Sequence, residues 1–405
     1  MTACPLPAPA ADPAAQAGLE PARIRRARRN LLRHYARHQR DLPWRRTRDP
    51  YAIWISEVML QQTRVDTVIP DYRRWLERFP NVEALAKAKE DEVLRVWQGL
   101  GYYSRARRLH QGARVVRERH GGVLPGSSQE LRGLPGVGEY TAGAVASIAF
   151  GEVVPAVDGN VKRVLSRLFD LPSATPGEFR ALARELVDPE RPGDFNQALM
   201  ELGALVCTPR PPRCGECPIS SECLALRRGT AAERPVPKIK KPIPEVDVAV
   251  LVVVAKDEDG GLWLLLRKRP PTGLLAGMWE FPGVEVTNEP SKLASASNGD
   301  RLACSFRDAA IKLAVGLGLD FPRLTLGFTL GTRSKSEVPG LKVVTHVFSH
   351  LKARYRPFLV PLSRPSLPDF NWKSTRWIPA QNLSDVPLPV AQSKIAQLAL
   401  SFMTE

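Results

Sequence analysis

Four of the six cysteines fall between residues 207 and 223, in the pattern C-x6-C-x2-C-x5-C at Cys207, Cys214, Cys217 and Cys223. No other feature restricts the fold as much. Four thiolates this close in sequence can wrap one metal centre, which forces the segment into a closed loop. Zinc and an iron–sulfur cluster both suit the spacing, and spacing alone does not separate them. The clustering, with Cys4 and Cys304 standing apart, points to a metal site in a reducing compartment and away from a disulfide framework.

At 405 residues the chain is long enough for two domains or three. A hydrophobic share of 43% is enough to build real cores, which excludes general disorder. The net charge of +16 is spread over both halves, as expected if both face a polyanion. No apolar run is long enough to span a membrane, and the Ala- and Pro-rich start lacks a secretory core. Residues 1–22 read as a disordered tail. Arg23 to Arg40 is Arg-rich and acid-poor, as organelle-targeting segments are, but Ile24, Leu31 and Tyr35 share one face and predict a first helix.

Residues 23–228 read as helical throughout: Val65, Val68, Ile69, Tyr72, Trp75, Leu76 and Phe79 keep a helical period, as do Val161, Val164, Leu165 and Leu168. The Pro- and Lys-rich stretch 229–245 reads as a linker. Residues 246–405 read as an α+β domain. Val246–Ala255, Leu262–Leu266, Lys342–Phe348 and Ala353–Val360 are strand-like, and Asp308–Leu317 is helical.

Three further motifs carry chemistry. Leu134-Pro-Gly-Val-Gly138 joins a helix begun by the capping-box pair Ser127 and Glu130 to the helical run Thr141–Phe150. Gly136 and Gly138 let the backbone approach closely, and amides at a helix start can hold a phosphate, although an ordinary helix–helix connection has the same form. Asp158 stands where a helix over Val161–Leu168 begins and is expected to cap it, with Lys162, Arg163 and Arg167 favouring its ionised form or a bound phosphate. Glu57 lies in the otherwise apolar stretch Trp54–Leu60, where desolvation would raise its pKa towards that of a general acid at neutral pH. Polar Gln61, Gln62 and Thr63 follow it and can read or wedge a base.

Together and in this order, these motifs resemble the helix–hairpin–helix DNA glycosylases that carry a 4Fe–4S cluster, and within them the MutY family of adenine glycosylases. The resemblance rests on LPWR at Leu42–Arg45, SEVMLQQTRV at Ser56–Val65, GLGYYSRARRL at Gly99–Leu109, LPGVGEYTAGAVAS at Leu134–Ser147, VDGNVKRV at Val157–Val164 and the cysteine quartet. It implies an all-helical glycosylase domain followed by a MutT/Nudix-like α+β domain. The implied monomeric enzyme removes adenine opposite 8-oxoguanine or G in double-stranded DNA, in the nucleoid or cytoplasm of a bacterium or in the nucleus or mitochondrion of a eukaryote. By this resemblance Glu57 is the general acid, Asp158 stabilises the oxocarbenium-like sugar, and Tyr140 and Asn160 support them. Gln62, Thr63, Leu100 and Tyr102 surround the opposing 8-oxoguanine, with Tyr102 suited to insert between bases. Arg45 matches a contact near the adenine site. The cluster would shape a basic loop near Arg210 and Arg213 for DNA binding.

Tyr140 stands where strand-cutting relatives resembling endonuclease III have a lysine. A phenol cannot form a Schiff base, so a monofunctional enzyme is expected. In the second half, Gly273–Gly283 reads GLLAGMWEFPG, the clearest Nudix-like mark. The following helix, Arg307–Gly316, lacks the paired glutamates that hold magnesium, so this domain is expected to recognise and not to hydrolyse. Ser349 and His350 match the loop that senses 8-oxoguanine. Residues 227–245 hold no cysteine for a second metal, and the tail Gln392–Phe402 keeps only the outline of a sliding-clamp peptide, so no clamp contact is assigned.

Overall fold

The computed structural model describes residues 20–237, 242–286, 298–317, 341–362 and 374–404. The expected tail lies outside these residues up to position 19. The chain falls into two compact units: residues 1–88 with 107–239, and residues 89–106 with 240–405. The helical stretch expected as one continuous domain is therefore interrupted, because 89–106 groups with the second unit. No described helix is long and apolar enough to cross a membrane.

The helices before residue 228 are α1 (Pro21–His38), α2 (Pro50–Met59), α3 (Val65–Arg78), α4 (Val82–Lys87), α5 (Glu90–Val96), α6 (Ser104–Arg119), α7 (Ser128–Leu131), α8 (Glu139–Phe150), α9 (Gly159–Leu168), α10 (Pro176–Leu186), α11 (Pro192–Leu205) and α12 (Leu224–Arg227). Their ends follow local chemistry. Asp49 caps α2 by accepting from the Tyr51 and Ala52 amides, and Pro50 opens that helix, where a missing N–H costs nothing. The expected capping box at α7 forms only by half. The Ser127 hydroxyl accepts from the Glu130 amide, but the Glu130 carboxylate bonds the Ser127 hydroxyl and not its amide. A complete box caps α10 at Thr175 and Glu178. One core of the first unit packs Leu31 and Tyr35 of α1 against Val164 and Leu165 of α9, Leu182 of α10 and Leu199 of α11.

Residues 229–237, read from sequence as linker, are tied to the helical unit. The Thr230 hydroxyl bonds Asp170, the Arg234 carbonyl accepts from Arg167, and the Val236 amide donates to Pro172. Composition misleads here because an extended backbone can still satisfy its polar groups against a neighbouring helix end.

The second unit is built on β1 (Glu245–Lys256), β2 (Leu262–Lys268), β3 (Trp279–Glu280), β4 (Gly283–Glu285), β5 (Val344–Val347), β6 (Lys352–Leu362) and β7 (Thr375–Pro379), with α13 (Asn298–Gly316) and α14 (Val390–Thr404). The main path of the sheet runs β3-β2-β1-β6-β5, with β4 on β1 and β7 on β2. The β1–β6 pair is parallel, with Val250 opposite Pro357. The apolar run of β1 is buried on both faces, as a central strand in a covered sheet must be. Val250, Val252 and Val254 pack with Ile395 of α14, whereas Ala249, Leu251 and Val253 pack with Phe306 and Ala310 of α13. The unit is thus a mixed sheet between two helices, in agreement with the expected α+β class.

Candidate active site

Three elements of the first unit bring the expected site residues together. Glu57 sits near the end of α2, where every residue from Tyr51 to Met59 is buried. Tyr140 is the second residue of α8, immediately after the hairpin. Its hydroxyl donates to Glu57 Oε2 at 2.5 Å and lies 3.3 Å from Met200 Sδ. The hairpin is tight for a steric reason: Gly136 has φ of 80°, and a Cβ there would stand 2.6 Å from the Arg108 Cβ. Asp158 caps α9 as expected, accepting from the Val161 amide at 2.7 Å and from Asn160 Nδ2 at 2.8 Å.

The electrostatics follow from burial. Glu57 is 5% exposed, and desolvation pushes its pKa up to about 7. The Tyr140 hydrogen bond and Arg45 work against that rise, and the charge of Asp158 adds to it. Burial, followed by the charges of Glu57 and Asp158, holds Tyr140 well above the usual phenol range, so it is a neutral donor. Asp158 corrects the sequence expectation. Its pKa is raised, because burial outweighs the amide of Val161, the Asn160 side chain and Arg163. The basic neighbours fall short because Arg167 is turned away, to the Cys207 sulfur and the Thr208 and Pro209 carbonyls.

A polar path leaves Asp158. Asn160 Oδ1 accepts from Arg163 Nη2 at 2.8 Å, and Arg163 also donates to the carbonyls of Gly203 and Cys207 at 2.7 and 2.8 Å. The α9–α11 approach that permits this needs Gly203, where a Cβ would stand 2.7 Å from the Asn160 Cβ.

Arg45, expected near the adenine site, forms a two-point ion pair with Glu201 of α11 at 2.7 and 3.1 Å. Arg40 donates to the same carboxylate at 2.7 Å. Burial alone would raise Glu201, but hydrogen bonds from Arg45 and Arg40 bring it down to about 2. Sequence reasoning missed Glu201 and Arg40. The signal was available, since Glu201 lies in Ala198-Leu-Met-Glu-Leu202, a carboxylate in an apolar run like that around Glu57.

The four cysteines line one cavity together with Arg167, Val206 and Ala231. Two short turns, Cys214–Glu216 and Ser220–Glu222, bend the loop, and Ile219 anchors it in the helical core. Burial and the other three thiols push Cys217 up to about 12. Arg210 and Arg213, expected to lie in a DNA-facing loop, are both exposed, and Arg213 also bonds the Leu205 carbonyl and pairs with Glu216.

The remaining expected contacts divide by exposure. Gln62 is exposed with φ of 58°, and Thr63 is half-buried beside it. Gln61 bonds Thr141. In the second unit Tyr102 is 44% exposed, but Leu100 is buried and does not present its side chain. Ser349 and His350 are exposed, with Ser349 Oγ 3.4 Å from His350 Nδ1. The Trp279-Glu280 pair of the Nudix-like mark is buried, and Glu280 is held by Arg267 and Arg269.

Residues 55–189 match the HhH-GPD superfamily of base excision DNA repair proteins, and residues 249–398 match the NUDIX domain. The adenine DNA glycosylase of Rattus norvegicus is 38% identical, over 91% of this chain and 77% of that protein. The adenine DNA glycosylase of Homo sapiens is 37% identical over 91% and 73%. Among solved structures, a thermostable thymine-DNA glycosylase aligns at 32% identity and a TM-score of 0.49, over 51% of this chain and 98% of that one.

Proposed function

The chain belongs to the adenine DNA glycosylase family, and from that premise we propose that it excises adenine opposite 8-oxoguanine with Glu57 as acid and Asp158 as electrostatic partner. It is an N-glycosylase of base excision repair with a Nudix-like second domain. The observation that carries the assignment of roles is the part-buried hydrogen bond from Tyr140 to the buried Glu57, with the charge of Asp158, the cap of α9, felt by both.

Breaking an N-glycosidic bond requires a better leaving group and a stabilised sugar cation. The adenine leaves the stack to reach the buried carboxyl. Glu57, pushed up to about 7 by burial, is protonated in a large fraction of molecules at neutral pH and delivers that proton to adenine N7. Tyr140 holds Oε2 from one side, which leaves Oε1 to carry that proton. The C1′–N9 bond breaks and its electron pair stays with adenine. Asp158, ionised, stabilises the positive charge on the deoxyribose until water adds at C1′, gives its proton to the carboxylate that Glu57 has become, and leaves an abasic site. Tyr140 offers no amine for covalent attack, so the strand stays intact.

The cysteine loop fits a 4Fe–4S cluster. Its four thiols line one cavity, and four closely spaced thiolates are the ligand set such a cluster takes. Cys207, Cys214, Cys217 and Cys223 would each hold one iron. Bound there, the cluster supplies a fixed anchor for the loop that follows α11. Tyr102, Gln62 and Thr63 serve the DNA around the opposing base, and Ser349 with His350 reads its oxidised edge.

The test is an incubation with three duplexes carrying A opposite 8-oxoguanine, A opposite G, and thymine glycol, scored for abasic sites and for borohydride trapping. Adenine release from the first, slower release from the second and no trapped adduct are expected. Thymine glycol removal with efficient trapping would instead identify a glycosylase–lyase.

A further inference from the structure

The loop Gly99–Tyr103 is held in an unusual backbone. Gly99 and Gly101 have φ of 102° and 67°, and Tyr102, which has a Cβ, has φ of 46°. Arg105 clamps it from inside: Nη2 donates to the Leu100 and Gly101 carbonyls at 2.9 and 3.1 Å, and its guanidinium lies over the Trp97 and Tyr102 rings. Trp97 Nε1 donates to the Gly101 carbonyl at 3.0 Å. Tyr102 is thus presented outward on a braced turn continuous with α5.

What α5 is fastened to is not visible in the sequence. Segment 89–106 belongs to the same compact unit as residues 240–405. Lys268 of β2 donates to Asp91 Oδ1 at 2.6 Å, and Trp279 Nε1 of β3 stands 3.5 Å from Asp91 Oδ2. Further along, Arg95 donates to Asp385 at 3.2 Å and Gln98 to Ser393 at 3.4 Å. Trp279 is itself gripped between Lys268 and Arg376, whose charges lie 5.7 and 5.4 Å from its ring. The tryptophan of the Nudix-like mark thus faces the helix that leads to Tyr102.

We propose that Asp91 and Lys268 are positioning residues that fasten the Tyr102 loop to the Nudix-like unit, making insertion of Tyr102 depend on what that unit finds opposite the adenine. The proposal rests on the reading of Tyr102 as a DNA-inserting residue. Recognition of 8-oxoguanine and presentation of the aromatic ring then occur on one body. Weakening the tie lowers excision where 8-oxoguanine is present and leaves the undamaged mismatch nearly unaffected.

The test uses the full-length protein with its cluster loaded and single-turnover adenine release from duplexes with A opposite 8-oxoguanine or opposite G. Asp91→Lys and Lys268→Asp each turn attraction into repulsion, and each should slow release opposite 8-oxoguanine about fivefold, the scale of one exposed ion pair. Release opposite G should stay within about twofold on the same scale. The double reversal restores the pair and should restore the rate. Parallel loss on both duplexes, no change, or a double variant no better than the singles overturns the proposal. Asp91→Asn, nearly isosteric, should move the 8-oxoguanine rate in the same direction by less, and melting curves identify any reversal that simply unfolds. Tyr102→Ala separates the two layers. If it leaves release opposite 8-oxoguanine unchanged, the insertion reading itself fails. If it slows release while the reversals do not, only the tie is wrong.

Discussion

Glu57 and Glu201 are the same side chain in nearly the same burial, 5% and 7% exposed, each near the end of an apolar helix of the first unit. Their chemistry is opposite. Burial pushes Glu57 up to about 7, because the Tyr140 hydrogen bond and Arg45 oppose the rise only weakly and the charge of Asp158 adds to it. Glu201 faces the guanidiniums of Arg40 and Arg45, and its pKa falls to about 2. Burial therefore does not decide whether a carboxyl is an acid or a counterion; the groups that share its cavity do. One glutamate is left poised to give a proton, and the other is spent holding Arg45 in place.

The largest effect that can break this comparison is on the rate. Glu57→Gln keeps the shape and the Tyr140 contact but removes the proton, so single-turnover adenine release should fall about 10³-fold, within the usual range for general acid catalysis. Its melting temperature should hold or rise, since a buried ionisable group without an ion partner is replaced by a neutral one. An enzyme left within tenfold of the parent would show that Glu57 is not the acid. Glu201→Gln should show the reverse pattern. It leaves Arg45, whose side chain is 11% exposed, without its countercharge. A loss of roughly 2–4 kcal/mol in stability is expected from denaturant melts, towards the lower part of the range for breaking buried pairs because Gln still accepts a hydrogen bond.

The pH signatures sharpen the same contrast. Glu57 has a folded pKa above its unfolded value, so the folded state binds the extra proton. The associated stability is full below about pH 4.5 and is lost as pH rises to about 7. Glu201 has a folded pKa below its unfolded value, so its stability is full above about pH 4.5 and is lost as pH falls towards 2. Chemical denaturation of each Gln variant against the parent should therefore give differences that grow in opposite directions. The Glu57→Gln variant gains relative stability between pH 5 and 7, and the Glu201→Gln deficit shrinks below pH 4. The rate should also fall as pH rises past 7, where Glu57 loses its proton. Two stability differences with the same pH slope would refute the opposed assignment.

How much of this was legible depended on whether a cause was local. The cap at Asp158, the hairpin glycines, the cysteine loop and the burial of Glu57 are set by residues within a few positions, and the sequence carried them. The α+β second domain followed from the strand-like runs at 246–255, 262–266, 342–348 and 353–360 and the helical run at 308–317. Glu201 was missed because its partners Arg40 and Arg45 are more than 150 residues away. The rise of Asp158 was read with the wrong sign because charges nearby in sequence were weighed without the burial that opposes them. The grouping of 89–106 with the Nudix-like unit is a tertiary fact with no periodic signature.

Within the first unit, the smallest predicted effect tests whether Asp158 behaves like Glu57 or like Glu201, since it stands between them: half-buried and raised, yet supplied with donors. Asn160→Ala removes the donor at 2.8 Å and also takes away one of three acceptors of Arg163. With less to favour its charge, Asp158 should titrate higher, and the acid limb of the excision profile should move towards neutral pH. At pH 7 the rate should drop about tenfold, equivalent to one charge-assisted hydrogen bond of roughly 1.4 kcal/mol. Gly203→Ala should do the same indirectly, because its Cβ would displace Asn160 without touching Asp158. If the acid limb stays put in both variants while the rate falls, Asn160 is packing for α9 and α11. If the limb moves, Asn160 is what keeps Asp158 a carboxylate, and the site works by holding one carboxyl neutral and the other charged in a single buried space.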